Sequence, residues 1–233
     1  MGPNRRAWRV DMPGRSDYEA TWALQRQLVS LRQRGEIPDV LLLVEHPPVV
    51  TCGRATKPEH LPVPREVLRR MGFGVFDVER GGSVTYHGPG QLVGYPILDL
   101  RAYGENVVGY VRMLEESVIR TLGGYGIQAG RRPGFPGVWV GTEKIAAVGV
   151  AVKRRVTLHG FALNVTTNLD HFRFINPCGI AYTPTSMERV LGRPVPLEDV
   201  RDAYAAAFEE VFRVRLEPVR VDRVRAAAVA EVP

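Results

Sequence analysis

The apolar positions of this chain change rhythm several times, and each change marks an element. After Ser16 they recur at helical spacing, with Ala20, Leu24, Leu28 and Leu31 on one face. Ser16-Asp17-Tyr18-Glu19 has the form of a capping box, in which hydroxyl and carboxylate each satisfy an orphan N–H. Arg32 and Arg34 suit the negative end of that helix, and Gly35 can stop it. Val40-Leu41-Leu42-Leu43-Val44 is a continuous apolar run, which predicts a strand buried on both faces. Pro47-Pro48 breaks its ladder, and Val49-Val50-Thr51 is expected to resume it. Positions 64–70 read as a short helix with proline at its first turn.

The next stretch is the densest in turn residues: Glu79-Arg80-Gly81-Gly82-Ser83-Val84-Thr85-Tyr86-His87-Gly88-Pro89-Gly90-Gln91. Val75, Phe76 and Val78 precede it, and Leu92, Val93, Tyr95, Ile97 and Leu98 follow. That pattern predicts strand, turn, short strand, turn, strand. An ordinary hairpin with Gly-rich corners fits it. So does a pocket walled by main-chain N–H groups, with Arg80, Tyr86 and His87 beside the wall.

Asn106 can cap a second long helix, in which Val107, Val111, Leu114, Val118 and Leu122 recur and Gly123-Gly124 ends the run. The pattern then turns to β. Strands are expected at 137–141, 144–152 and 156–165, the last two joined antiparallel across the Lys153-Arg154-Arg155 corner. Gly149 and Gly160 lie inside these strands, where glycine weakens a strand unless something approaches closely. The segment 164–178 reads as loop. Thr185-Ser186-Met187-Glu188 opens a short helix ending at Gly192. Pro196 starts a last helix with Val200, Tyr204, Phe208 and Val211, and a strand is expected at 214–219. The mixed order, rich in hairpins, predicts an α+β fold with mixed and antiparallel sheets and flanking helices. A single domain is expected over 1–219, with 220–233 a loose helix or disordered tail.

Composition narrows the function classes. Apolar residues make up 45 % of 233, enough for one sizeable core. The net charge of +6 comes from dispersed arginines, so nucleic acid is not implied, and an acidic protein partner is allowed. No apolar run approaches the ~20 residues of a membrane span, and no secretory signal is visible at the start. A cytoplasmic location is expected. Cys52 and Cys178 form neither a disulfide framework nor a zinc spacing, and His46, His60, His87, His159 and His171 are scattered, so no metal is expected.

Chemistry has few candidates. Cys52 ends an apolar strand and reads as a small buried residue. Cys178 sits in Asn176-Pro177-Cys178-Gly179-Ile180, on a loop. A free thiol has a pKa of about 8.5, so a nucleophilic role needs an activator. Lys144 opens the most apolar strand and is one candidate; His87 and His159 are rival bases. A close Lys–Cys pair titrates as a unit.

Four segments together resemble a known family. They are 80–91, 141–149, His159-Gly160-Phe161-Ala162-Leu163-Asn164 and Pro177-Cys178-Gly179-Ile180, with Glu45 to Thr51 and Lys57 to Leu61 in support. In this order they resemble the lipoyl(octanoyl) transferases of lipoate biosynthesis over about residues 8–219. The resemblance implies a fold like the catalytic domains of biotin protein ligases and lipoate ligases. It implies transfer of octanoyl from acyl carrier protein to a lysine of lipoyl domains, those of 2-oxoacid dehydrogenase E2 subunits and of glycine cleavage H protein. Cys178 matches the thioester nucleophile and Lys144 the residue that activates it. Arg80-Gly81-Gly82-Ser83-Val84-Thr85-Tyr86-His87, Ala147-Val148-Gly149 and His159-Gly160-Phe161-Ala162 match the substrate-binding segments. Gly149 and Gly160 are expected to make room for the acyl chain. No cofactor is implied beyond the phosphopantetheine of the carrier. Two other readings are an ATP-dependent lipoate-protein ligase and a non-enzymatic acyl-chain binding module. A cysteine hydrolase is a third. The first is separated by ATP dependence, the second by indifference to Cys178→Ser, and the third by release of free octanoate.

Overall fold

The structure, a computed structural model, describes residues 5–104, 106–176 and 183–229. The chain opens with strand β1 (Arg5–Arg15) and helix α1 (Tyr18–Arg34). The cap is Asp17, whose carboxylate accepts the Ala20 N–H, rather than Ser16. Gly35 closes the helix at φ 75°, a conformation that glycine takes without steric cost. Strand β2 (Asp39–Glu45) follows, then β3 (Val49–Cys52). After Pro47-Pro48 the chain does not resume the β2 ladder. Two successive residues without N–H end it, and β3 founds a second sheet. Helix α2 (Arg65–Arg70), β4 (Gly74–Asp77), β5 (Val84–His87) and β6 (Gln91–Ile97) complete the first half. Helix α3 (Val107–Gly124) is capped by the Asn106 side chain, which accepts from the N–H groups of Val108 and Gly109. The second half contains β7 (Gly130–Arg132), β8 (Phe135–Val140), β9 (Glu143–Lys153), β10 (Val156–Asn164), α4 (Met187–Leu191), α5 (Leu197–Phe212), β11 (Val214–Pro218) and α6 (Val221–Val229).

Eight strands form one sheet in the order β11-β1-β2-β6-β10-β9-β8-β7, and three form another in the order β4-β3-β5. In the large sheet β11, β1 and β2 run parallel, and every later pairing is antiparallel. The fold is α+β with mixed sheets. The Gly-rich stretch is not a hairpin: β4 and β5 do not pair, because β3 lies between them.

Alternation along β2 explains its unbroken apolar run. Leu41 and Leu43 join Tyr110, Leu114 and Val118 of α3 and Tyr204 and Phe208 of α5 on one face. Val40, Leu42 and Val44 join Leu24 and Leu28 of α1 and Val224 and Ala228 of α6 on the other. The small sheet has its own core of Val50, Cys52, Leu68, Val75 and Tyr86. The 3-10 turn Leu169–Phe174 covers it through Phe172 and Phe174. No helix among the described residues is long and apolar enough to cross a membrane.

Candidate active site

A cavity of about 210 Å³ is lined by the Arg80 loop, β5 and the facing parts of β9 and β10. Along β5 the side chains alternate. Thr85 and His87 line the cavity, while Tyr86 turns into the small sheet's core, where its hydroxyl meets His171 Nδ1 at 2.8 Å. Tyr86 is therefore no part of the cavity wall. Arg80, Gly81, Gly82, Ser83, Val84, Thr85, His87, Lys144, Ala147, Val148, Gly149, His159, Gly160, Phe161 and Ala162 all line it. Cys178 lies outside the described residues. Sequence reasoning missed Tyr18 and Tyr95, and also Arg132, Phe135 and Trp139 from the β7–β8 segment. The Pro-, Gly- and aromatic-rich run from Arg131 to Trp139 resembles the Arg80 stretch in composition, and that signal could have found it.

Arg80 is buried and used structurally. Its Nη2 donates to the Thr51 carbonyl at 2.6 Å and its Nη1 to the Gly81 carbonyl at 3.1 Å. The Gly81 N–H then reaches the Val150 carbonyl at 2.8 Å and ties the loop to β9. This explains Gly149. A Cβ there would stand 3.1 Å from Arg80 Cδ and 3.2 Å from the Gly81 oxygen. At Gly160 a Cβ would come within 2.1 Å of the Gly94 oxygen. Both glycines line the cavity, and each also admits neighbouring protein that a Cβ would meet.

Lys144 is the second residue of β9, paired with Trp139 of β8, and its backbone is stitched to a distant segment. Its N–H donates to the Thr183 carbonyl at 2.9 Å, its carbonyl accepts from Thr185 N–H at 3.0 Å, and it bridges Pro184 in parallel. Its side chain crosses Gly137, where φ is 122°. A Cβ at Gly137 would lie 2.5 Å from both Lys144 Cε and the Ala146 oxygen. The β8–β9 register shifts at this point. The Gly137 N–H donates to Glu115 Oε1 at 2.8 Å, and Glu115 Oε2 accepts from Arg131 Nε at 3.1 Å. The Lys144 ammonium stands 5.4 Å from the Trp139 ring centre.

The histidines differ in setting. His87 Nδ1 donates to Gln91 Oε1 at 2.8 Å, and Gln91 continues through Asn164 to the Thr185 carbonyl. Burial, with His46 alongside, pushes the His87 pKa down to about 3, so the ring is neutral. His46 donates from Nδ1 to the Ser16 carbonyl and accepts at Nε2 from the Tyr95 hydroxyl; burial lowers it to about 4. His159 pairs with Val150, six positions along β9 from Lys144, or about 20 Å of strand. It is no neighbour of Lys144. Its Nε2 stands 3.3 Å from Glu79 Oε2, at ion-pair distance but without hydrogen-bond alignment. Burial pushes the Glu79 carboxyl up, but His159, a backbone N–H and Arg26 outweigh it and hold the group well below the usual range. Cys52 is buried, and burial pushes its thiol up.

Comparison with known proteins fits this geometry. The family described as the lipoyl protein ligase A/B catalytic domain matches residues 17–209. An octanoyltransferase of Solibacter usitatus is 50 % identical over 205 residues, covering 88 % of this chain and 93 % of that protein. Among solved structures, a bi-partite lipoate protein ligase with its E2 lipoyl domain from Thermoplasma acidophilum superposes with a TM-score of 0.68 at 19 % identity, over 99 % of this chain and 92 % of that one. The biotin protein ligase of Aquifex aeolicus gives 0.50 at 13 %, over 90 % and 69 %. At those identities the structures speak for the fold alone.

Proposed function

We infer the reaction from membership: this chain belongs to the lipoyl(octanoyl) transferases, within the lipoyl protein ligase A/B catalytic-domain family, and it is an acyltransferase. In this reading it takes octanoyl from acyl carrier protein and holds it as a thioester on Cys178. It then passes the group to a lysine of lipoyl domains, on 2-oxoacid dehydrogenase E2 subunits and glycine cleavage H protein.

The observation that carries the reading is the stitching of Lys144 to the segment after Cys178. Thr183 and Thr185 bond the Lys144 backbone, and Asn176 N–H donates to the His60 carbonyl at 2.8 Å. Cys178 lies between these two anchors in sequence, two positions after Asn176 and five before Thr183. Lys144 opens on an apolar-walled cavity, where each buried methylene contributes about 0.8 kcal/mol.

The steps balance without ATP, metal or redox cofactor. Lys144, in its neutral amine form, accepts the Cys178 proton and becomes the ammonium, and the thiolate attacks the octanoyl carbonyl. The carrier thiol departs with that proton. The acceptor amine then attacks the new thioester, gives a proton to Lys144, and releases Cys178 as an amide forms. The net charge of +6 steers an acidic carrier. A thiol that must stay reduced places the reaction in the cytoplasm.

Intact-mass spectrometry after mixing the protein with octanoyl carrier protein tests this. One octanoyl adduct is expected, mapped to Cys178 and discharged by an apo lipoyl domain. No adduct, or one on Cys52, overturns the assignment.

A further inference from the structure

We propose that His159, braced by Glu79, is the end stop of the acyl slot and sets the chain length it accepts. The proposal rests on the octanoyl-transfer reading above. Strands β9 and β10 run together along the cavity, with Ala147 paired to Ala162, Val148 to Phe161, Gly149 to Gly160 and Val150 to His159. Moving away from Lys144, the cavity-facing row is Ala147–Ala162 and then Gly149–Gly160, while Val148 and Phe161 turn their side chains into the α3–α5 core; His159 comes next, lines the cavity and is 2 % exposed.

Its backbone is the unusual feature. His159 takes φ 57° within a strand, a region that side chains with a Cβ rarely adopt. Alternation gives the reason. Leu158 and Ala162 pack on the α1 face of the large sheet, and Phe161 and Leu163 on the opposite face. His159 shares the parity of Phe161. Yet its ring lies 6.5 Å from those of Trp22 and Tyr95, on the α1 side. The left-handed turn has thus swung the imidazole from the face packed by α3 and α5 to the α1 face, on which the cavity lies. Strain kept at a cavity wall is an observation from which function is inferred.

The residue is then fixed through its backbone, and its ring is set against a held carboxylate. The His159 backbone N–H donates to Gln25 Oε1 at 2.8 Å. Glu79 Oε2, opposite the ring, accepts from Trp22 Nε1 at 3.0 Å, and Arg26 and Lys153 each stand 3.5 Å from its other oxygen. A saturated chain gains by burying methylenes against apolar wall, but it has nothing to offer an imidazole–carboxylate pair. Its methyl end therefore stops where the polar wall begins. Each further methylene that finds apolar room would raise kcat/KM roughly four-fold.

The test compares carrier-linked acyl groups of six, eight, ten and twelve carbons for transfer to an apo lipoyl domain, in the native protein and in His159→Gly. Glycine adopts this φ freely, so the variant keeps its backbone. The native protein should prefer eight carbons. The variant should raise its twelve-to-eight ratio of kcat/KM by roughly ten-fold or more. Should its thermal transition show it unfolded, His159→Asn, which tolerates the left-handed region, takes its place. An unchanged ratio in a folded variant overturns the end stop while leaving the transfer reading intact. No transfer of any chain length by the native protein overturns the transfer reading itself.

Discussion

The two ends of the cavity use unusual backbone for opposite purposes. At the Lys144 end, Gly137 at φ 122° removes a Cβ so that a flexible cation can pass. At the far end, His159 at φ 57° keeps its side chain and is turned so that a fixed ring faces inward. The anchoring differs as well. Lys144 is held by backbone bonds to Thr183 and Thr185, and its side-chain nitrogen stands beside the Trp139 ring at the end of four methylenes. His159 is held by its backbone N–H, bonded to the Gln25 side chain, and its ring lies against Glu79, which is itself bound by Trp22, Arg26 and Lys153. In the roles proposed for them, the group that exchanges protons needs reach and the group that measures length needs rigidity.

The largest effects should come from breaking the Lys144 end. Lys144→Met should slow both half-reactions by about 10²–10⁴ in rate, the range of a lost general base. KM for the acyl carrier should hardly move, because the cavity walls are untouched. Gly137→Ala should approach that loss, about 10²-fold, since misplacing a reacting group by an ångström costs that much. The new Cβ meets the Ala146 oxygen as well as the lysine arm. Quenched-flow measurement of acyl-enzyme formation reads both variants. Native rates in Lys144→Met would remove the lysine from the chemistry. Native rates in Gly137→Ala alone would show only that the arm finds another path.

Much of this was legible in the sequence, and the failures have physical causes. The β9–β10 hairpin and the caps at Asn106 and Gly192 follow from local patterns that tertiary packing does not oppose. Strand β1 was missed because its burial is sparse: Ala7, Val10 and Met12 are buried among charged neighbours, and parallel pairing to β2 and β11 holds it. Val107 heads the expected apolar face of α3 but is 42 % exposed, while Tyr110 is fully buried in its place. The sequence left the tail open between loose helix and disorder; residues 221–229 form helix α6, because a short Ala- and Arg-rich run acquires an apolar side once Val224 and Ala228 meet α1. At the cavity, the glycines flagged the site but not their own role. Only coordinates reveal that the Cβ directions at Gly149 and Gly160 point at Arg80 and Gly94. The flip at His159 is invisible to any period-2 reading, since it is a break in that period.

The comparison also predicts which end answers to acid. His46 and His87 stand among Tyr18, Tyr95 and each other, and are held neutral with pKa values of about 4 and about 3. In the unfolded chain both titrate near 6.5. Below that value the unfolded state binds protons that the native state refuses, so stability falls as pH drops from about 6.5 towards 4. At pH 4.5 each histidine should cost about 2–3 kcal/mol relative to pH 7. Glu79 acts in the same direction: its lowered carboxyl stabilises the fold above the ordinary carboxylate range and loses that contribution only in stronger acid. Urea unfolding at pH 7 and pH 4.5 measures the sum. His87→Gln should flatten the dependence, and an equally steep profile in that variant would exclude His87 as a source.

The smallest effect sharpens the comparison most, because it asks whether the Lys144 end also relies on a side-chain brace. Glu115 reaches from α3 to accept the Gly137 N–H, and is 5 % exposed. In Glu115→Gln an amide oxygen can still accept that N–H, while the pairing with Arg131 is lost, 40 % of whose side chain is exposed. A partly exposed pair contributes at most about 1 kcal/mol, so stability should fall by no more than that and acyl-enzyme formation should keep its native rate. Glu115→Leu leaves the Gly137 N–H without an acceptor, at a cost of about 1–3 kcal/mol. It should also let the bulge relax under Lys144. A rate that drops in the leucine variant but not in the glutamine variant, with KM steady in both, is the signature of a hydrogen bond that positions the lysine. If the two variants lose rate equally, the charge of Glu115 matters rather than its bond to Gly137, and the brace would have to be assigned to the ion pair with Arg131.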